Sequence, residues 1–275
     1  MKFTDKVVGI TGGTGSLGEE LLRRINDAKE VRVMSRSEKG QIPLKAKYPL
    51  VKFILGDVSD LEAVKDAVRG CDIVIHAAAF KFLDLAEKQA RQCVITNVIG
   101  SLNVISAVKE IGGVEMCVGI STDKVCYARN VYGCTKHIME KLFREADENS
   151  NTKFFCVRYG NVIGTTGSVT TIWERQKREG QPITITDRRM TRFFFTLGEA
   201  VDLIFYAMDN AKGGEIFVKK MNSVRIEDMA KKVSYNIVEI GLRPGEKLHE
   251  TLIADYEGES YTSGSPTNVG GIVTL

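Results

Sequence analysis

Histidine is scarce in this chain. There are three, His76, His137 and His249, and the six cysteines form no Cys-x-x-Cys pair. A tetrahedral metal centre needs clustered nitrogen or sulfur ligands, so no metal site is expected. An excess of one charge is also missing: 38 Lys+Arg stand against 35 Asp+Glu, a net +3. Basic residues nowhere run to five or more, which argues against nucleic acid as a partner. No window reaches eighteen apolar residues, so no membrane span is expected. The opening MKFTDKVVGITGG enters a strand pattern at once and lacks the apolar stretch of a signal peptide. Internal repeats and low-complexity segments are absent. Cys71, Cys93, Cys117 and Cys156 lie in apolar runs and read as reduced core residues, which implies a reducing, cytoplasmic setting.

What is present is the composition of a soluble globular protein, 43% hydrophobic and 27% charged over 275 residues. Apolar runs at Lys6–Thr11, Glu30–Ser35, Val51–Gly56, Asp72–Ala77, Val114–Ser121 and Lys153–Arg158 read as strands. Helical spacing separates them, as in Val98, Leu102, Ile105, Val108 and Ile111, and again in Val131, Cys134, Ile138, Leu142 and Phe143. This alternation predicts an α/β fold, a Rossmann-type doubly wound parallel sheet. The expected division is a dinucleotide-binding domain over 1–165, a smaller C-terminal α/β substrate-binding lobe over 166–256, and a tail over 257–275. To the lobe belong strands Ile183–Thr186 and Glu215–Val218 and helices Leu197–Asp209 and Ile226–Val233. Trp173 reads as part of an amphipathic helix there, and Phe193 to Phe195 as core. The tail, with Gly-Ser-Pro-Thr and two adjacent glycines, is expected to pack poorly.

The turn Thr11-Gly-Gly-Thr-Gly-Ser-Leu-Gly18 follows the first strand and opens a helix. Gly12, Gly15 and Gly18 have the spacing that lets a backbone approach a pyrophosphate, with Thr14, Ser16 and Leu17 between them and free helix N–H groups behind. An NAD site carries an acid at the end of the second strand; here the strand ends Ser35-Arg36-Ser37. Arg36, with Ser35, Ser37 or Lys39, suits a 2′-phosphate, so NADP is the expected cofactor and NAD the less favoured one; the competing reading is a solvated surface arginine. Asp57, followed by Val58, ends the third strand as an adenine partner or as a helix cap. Ala77, Ala78 and Ala79 follow the fourth strand, where small side chains admit a ribose and nicotinamide.

Tyr132 and Lys136 stand four apart on one helix face. An ammonium beside a phenol favours phenolate, which could take a proton from a substrate hydroxyl while hydride leaves; Thr122 would hydrogen-bond the same hydroxyl. Asp123 and Lys124 exceed what a plain dehydrogenase needs. Oxidising a sugar hydroxyl to a ketone acidifies the neighbouring C–H. A lysine left partly neutral by desolvation could then remove that proton, and an aspartic acid kept protonated by burial could expel the hydroxyl beyond it. The alternative is a salt-bridged loop pair.

Eight segments carry a family resemblance: ITGGTGSLG at 10–18, AAAFK at 77–81, STDK at 121–124, YGCTK at 132–136, RYGNV at 158–162, MTRF at 190–193, GEIFV at 214–218 and RPGEKLHE at 243–250. The chain resembles the extended short-chain dehydrogenase/reductases, and among them the inverting, 5-epimerising UDP-N-acetylglucosamine 4,6-dehydratases. The resemblance implies tightly bound, recycled NADP, oxidation at C4, loss of water across C5 and C6, and hydride return to C6. It casts Tyr132 as the C4 base, Asp123 as the acid for the C6 hydroxyl and Lys124 as the C5 base. Lys81, Asn161, Thr191, Arg192, Arg243 and Glu246 would surround a UDP-sugar, and Lys81, Asn97 and Tyr159 join the cofactor set. Arg192 and Arg243 suit a diphosphate. A homo-oligomer is expected on the same ground. Two positions depart from the family pattern: Phe82 replaces a histidine and Ala128 a proline. The chain is also shorter than typical members and lacks the N-terminal hydrophobic region of the membrane-anchored ones. The alternatives are a sugar-nucleotide 4-epimerase or 4-keto reductase, which have no use for Asp123 and Lys124, and a non-catalytic NADP-binding protein.

Overall fold

In the computed structural model, residues 1–165, 167–263 and 271–275 are described. The six early apolar runs form β1 (Val7–Thr11), β2 (Glu30–Ser35), β3 (Lys52–Leu55), β4 (Ile73–His76), β5 (Met116–Ile120) and β6 (Lys153–Arg158). Between them lie α1 (Ser16–Arg24), α2 (Glu38–Lys47), α3 (Leu61–Val68), α4 (Leu83–Lys88), α5 (Ala90–Val94), α6 (Gly100–Ile111) and α7 (Val131–Glu148). The strands pair in parallel in the order β3-β2-β1-β4-β5-β6. β4 is buried along its whole length, as a strand covered by helices on both faces must be. The order reverses beside β1, and the crevice at the carboxyl ends of the strands there is where such sheets take ligands.

Two further strands widen this sheet. Ile216–Lys219 adds in parallel to β6, and Ile272–Thr274 closes the edge antiparallel to it. Helix Leu197–Asn210 packs on α1. Segments assigned by sequence to the C-terminal lobe thus build the main layer. The physical reason lies in the Ile216-Phe-Val218 run, which is apolar without alternation and buried at every position; only a strand covered on both faces satisfies it. The expectation of a poorly packed tail also fails for its described residues. Tyr261 is buried and stacks on Phe193 with ring centroids 5.4 Å apart, strand Tyr261–Thr262 pairs with Thr251–Ile253, and Ile272–Thr274 is the sheet edge just described. The Gly-Ser-Pro-Thr run lies outside the described residues.

What remains of the lobe is compact. Helices Val169–Arg178 and Ile226–Val233 cover the parallel pair Ile183–Ile185 and Ile237–Glu239 around Trp173, Ile183, Ile185, Met190 and Ile226. Trp173 is fully buried, and its indole N–H donates to the Thr184 carbonyl at 2.8 Å.

One helical stretch differs from expectation. α5, the π-turn Ile95–Ile99 and α6 run together as the 22-residue helix Ala90–Ile111, whose most apolar window has a mean hydropathy of 1.3 and would suffice, by length and composition, to cross a membrane. In the fold it packs between α3 and α7, and 44% of its most apolar window is buried, which accounts for its composition as that of a core helix.

Truncation of Trp173 to Ala removes the centre of the small lobe. A loss of about 3–5 kcal/mol is expected in urea unfolding; a loss under about 1 kcal/mol would show that the lobe is not organised on the indole.

Candidate active site

A cleft of about 440 Å³ opens along the carboxyl ends of the strands. Its cofactor side begins at Gly12, whose φ is +71° and where a Cβ would sit 2.6 Å from the Ala78 backbone. No other residue lets the β1–α1 turn close on the Ala77–Ala79 strand end. Gly15 caps α1 without a side-chain bond, and Gly15, Ser16, Leu17 and Gly18 bring the helix N-terminus to the cleft, the end of a helix that favours an anion. Thr11 Oγ1 lies 2.8 Å from His76 Nδ1, and His76 Nε2 lies 3.0 Å from Ser101 Oγ. Complete burial, with Lys136 nearby, pushes His76 down to about 3; the neutral ring ties β1, β4 and α6 beneath the turn.

Of the expected cofactor residues, Gly12, Thr14, Gly15, Ser16, Leu17, Gly18, Ser35, Arg36, Ser37, Val58, Ala77, Ala78, Ala79, Lys81, Tyr132 and Tyr159 line the cleft. Lys39, Asp57, Asn97 and Lys136 do not. Lys39 is exposed on the first turn of α2. Asp57 Oδ1 accepts from the Ser59 N–H and hydroxyl, both at 2.9 Å, and its Oδ2 lies 3.4 Å from Arg36; the cap of α3 is Asp60. Asn97 accepts from Phe80 N–H at 2.7 Å and donates to Phe80 O at 3.1 Å, bracing the loop that carries Lys81. Sequence reasoning missed Met34, Gly56, Thr96, Ile120, Ser121, Gly160, Val162, Thr165 and Leu197, which also line the cleft. Met34, Gly56, Ile120, Ser121 and Gly160 adjoin strand ends already singled out and could have been found by extending them. Leu197 had no local signal, because its helix returns to the cleft from far along the chain.

On the catalytic side, Thr122 accepts from Lys124 N–H and starts a 3₁₀ turn at Asp123–Val125. Asn130 caps α7 by accepting from Gly133 N–H at 2.7 Å. A Cβ on Gly133 would lie 2.3 Å from the Lys124 carbonyl oxygen, so the absent side chain is what lets Tyr132 approach the turn. Thr122, Lys124, Tyr132 and Asn161 line the cleft. Burial pushes the Tyr132 phenol up to about 12, against the opposing pull of the Lys124 charge and the Thr122 hydroxyl. Lys136, expected to lower that phenol, is not among the main influences on it. It is buried, its Nζ contacts Met139 Sδ at 2.8 Å, and desolvation brings it down to about 8.

Lys124 Nζ donates to Asp123 Oδ1 at 2.7 Å and to Asn161 Oδ1 at 3.4 Å, and lies 3.5 Å from Glu250 Oε1. Burial alone would lower its pKa, but Asp123 and Glu250 raise it above the usual lysine value. The expectation of a lysine left partly neutral by desolvation is therefore not met, because two carboxyl groups answer its charge. Asp123 is fully buried and does not line the cleft. Desolvation raises its pKa against the pull of Lys124, and its Oδ2 has no hydrogen-bond partner among the described residues. Both features favour the protonated acid. The pair is salt-bridged, and of the two Lys124 lines the cleft.

The remaining expected substrate residues lie behind the cleft or away from it. Thr191 Oγ1 lies 2.8 Å from both His249 Nδ1 and Ser263 Oγ. The Arg192 guanidinium is buried and donates to the carbonyls of Thr191, Leu248 and Lys247 at 2.7–3.1 Å. Arg243 is half-exposed, 3.8 Å from Asp84, and its N–H donates to Glu246 Oε2 at 3.2 Å. Beneath the turn, Arg158 is wholly buried between Glu140 at 2.7 Å and Glu257 at 2.7 Å. It also donates to Leu252 O at 2.8 Å, while the Ser121 hydroxyl donates to Glu140 at 2.6 Å.

The sequence model of a family described as polysaccharide biosynthesis protein matches residues 8–268. The chain belongs to this family. Among its relatives is the UDP-N-acetylglucosamine 4,6-dehydratase (inverting) of Campylobacter jejuni, 39% identical over 96% of this chain and 84% of that protein. The UDP-glucose 4-epimerase of Rickettsia akari is also 39% identical, over 92% and 79%. Among solved structures, Pen from Bacillus thuringiensis superposes with a TM-score of 0.88 at 38% identity, covering 92% of this chain and 83% of that one. Family members of such different names share one scaffold, so the reaction has to be argued from the side chains of the cleft.

Two outcomes follow. Arg158→Ala strands two buried carboxylates and should cost about 3–5 kcal/mol in chemical denaturation; a cost under about 1 kcal/mol would refute the cluster. Burial would raise the Glu257 carboxyl, but the Arg158 bonds and charge hold it below its ordinary 4.5. The stability it contributes is therefore present above that value and lost as pH falls through the folded one. The melting temperature should drop on acidification below about pH 4.5, and less steeply in Arg158→Ala than in the wild type.

Proposed function

We propose that the protein is an NADP-dependent UDP-N-acetylglucosamine 4,6-dehydratase that inverts C5, yielding a UDP-2-acetamido-2,6-dideoxy-4-keto-hexose for polysaccharide or glycan biosynthesis. The observation that carries this reading is the buried Asp123–Lys124 pair just past the end of β5, whose Lys124 lines the same cleft as Tyr132. An oxidation followed by reversal, as in a 4-epimerase, needs no second acid and base. An elimination needs both beside the ketone.

The glycine turn and the N-terminus of α1 fit a dinucleotide pyrophosphate. Arg36, standing at the end of β2 where an NAD site carries an acid, favours the 2′-phosphate of NADP over a free ribose hydroxyl. When bound, the nicotinamide supplies hydride acceptance at C4 and hydride return at C6. The chain's own residues do the rest. Thr122 orients the C4 hydroxyl and Tyr132 takes its proton, once a substrate or cofactor charge has offset the burial that holds the phenol neutral. The proton between Lys124 and Asp123 moves along their hydrogen bond to leave a neutral amine and a neutral acid. The amine takes the C5 proton, and the acid gives its proton to the departing C6 oxygen. Exposed Val94, Ile99 and Leu102 on α5–α6 and Ile138 on α7 support a homo-oligomer through these helices.

Incubation of the purified protein with UDP-N-acetylglucosamine and no added cofactor should give a C6 methyl doublet and a 4-keto product in proton NMR, without net reduced cofactor. Asp123→Asn should abolish that doublet by at least about 10²-fold. A C4 epimer made equally by wild type and variant would replace this reading with the epimerase. Arg36→Ala should weaken NADP binding about tenfold or more while leaving NAD binding unchanged; equal effects on both would remove the case for NADP.

A further inference from the structure

Glu250 lies outside the cleft, yet its carboxylate faces the one pair on which an elimination depends. Its Oε1 is 3.5 Å from Lys124 Nζ and 4.0 Å from Arg192 Nε, and Lys247 Nζ sits 2.9 Å from its Oε2. All four side chains are nearly or fully buried. Lys247 is held there by donating to the Cys126 carbonyl at 2.7 Å, just past the 3₁₀ turn. Glu250 itself is pinned by its own N–H, which donates to Ser263 Oγ at 2.9 Å. These bonds spend no contact on the cleft. They aim a carboxylate at the back of Lys124, whose front faces the substrate space.

We propose that Glu250 is a positioning residue of the elimination: its fixed negative charge behind Lys124 keeps a single proton shared within the Asp123–Lys124 pair at working pH. This inference rests on the dehydratase reading above and names the group that controls its acid–base step. The pair is competent with one proton on it, because it then converts between ion pair and neutral amine plus neutral acid without exchange with water. In the step, the C5–H electrons form the C5–C6 double bond as the C6–O bond breaks. The C5 proton goes to Lys124 Nζ and the Asp123 proton to the leaving oxygen, giving water. Lys124 then returns its proton to Asp123 across their 2.7 Å bond, and the pair is reset. Without an anion behind it, the pair would sit between Lys247 and Arg192 alone and would lose its proton at lower pH.

The groups facing the pair give the sign. Glu250 raises both Asp123 and Lys124, while Lys247 lowers Asp123 and Arg192 lowers Lys124. Burial would raise Glu250 itself, but Lys124, Arg192 and Lys247 hold it below the usual carboxylate value, so it remains the anion. Glu246 answers Arg192 from the far side at 3.5 Å, and His249 Nδ1 lies 2.8 Å from Thr191 Oγ1.

The test measures product formation by NMR against pH, together with the appearance of reduced cofactor at 340 nm on mixing holoenzyme with UDP-N-acetylglucosamine. Glu250→Gln should move both limbs of the pH profile for product formation to lower pH by about 1–3 units, with reduced cofactor appearing as in the wild type and persisting. Lys247→Met should move both limbs up. If Glu250→Gln fails to fold, the upward shift of Lys247→Met alone carries the test. Unshifted limbs, or a uniform loss of rate with an unchanged profile, would overturn the inference and leave Glu250 a structural brace. If the wild type forms no C6 methyl product at all, it is the dehydratase reading that falls.

Discussion

Buried charge is the constraint on which this structure is built. At the carboxyl ends of β5 and β6, cations and carboxylates on both sides of Cys126 are removed from water, and each must be answered by another. Arg158 is answered by Glu140 and Glu257; Lys124 by Asp123 and Glu250; Glu250 by Lys247 in turn. The two groups meet at Cys126, whose carbonyl accepts from Lys247 and whose sulfur lies 3.1 Å from Arg158. An unanswered charge in such a place costs several kcal/mol, whereas the complete set adds little net stability. The clusters therefore act as a condition on assembly. Neither closes until residues 121–140, 158, 192 and 246–257 have come together, and those are the segments that make the catalytic side of the cleft.

This explains which parts of the molecule were legible in the sequence. β1 to β6, α6 and α7 follow from local period, because the inner strands are buried on both faces and each helix on one. The Gly12 turn was legible because backbone geometry there admits no side chain, and the Tyr132–Lys136 pair because four residues make one helical turn. Ile216–Lys219 and Ile272–Thr274 were not placed correctly, since neighbours in a sheet need not be neighbours in the chain. Arg158 and Glu250 entered only as members of segments that carry the family resemblance, and Glu140 not at all. Their meaning lies in which distant charge each one meets, and a lone acid or arginine in a sequence reads as solvated surface.

Protonation was the least legible property. The spacing of Tyr132 and Lys136 suggested a lowered phenol, and the adjacency of Asp123 and Lys124 a lysine neutralised by desolvation. The fold gives a phenol raised by burial and a lysine raised by two carboxyl groups. Both differences arise from the third dimension: from how deeply α7 is packed, and from Glu250 arriving behind the turn. Only the Asp123 acid was anticipated, because burial is the largest influence on its direction. The same scaffold carries relatives named as a dehydratase and as an epimerase at equal identity, and the distinction between such reactions rests on the acid–base pair at one strand end rather than on the fold.

The most direct test of the account follows the hydrogen at C4. UDP-N-acetylglucosamine carrying deuterium at C4 is turned over by the protein as purified, and the product is read by mass and deuterium NMR. Internal oxidation, elimination and hydride return predict that the label reappears in the C6 methyl group. Label found back at C4, or lost to solvent, would contradict the claim that one cleft joins a hydride site to an eliminating Asp123–Lys124 pair.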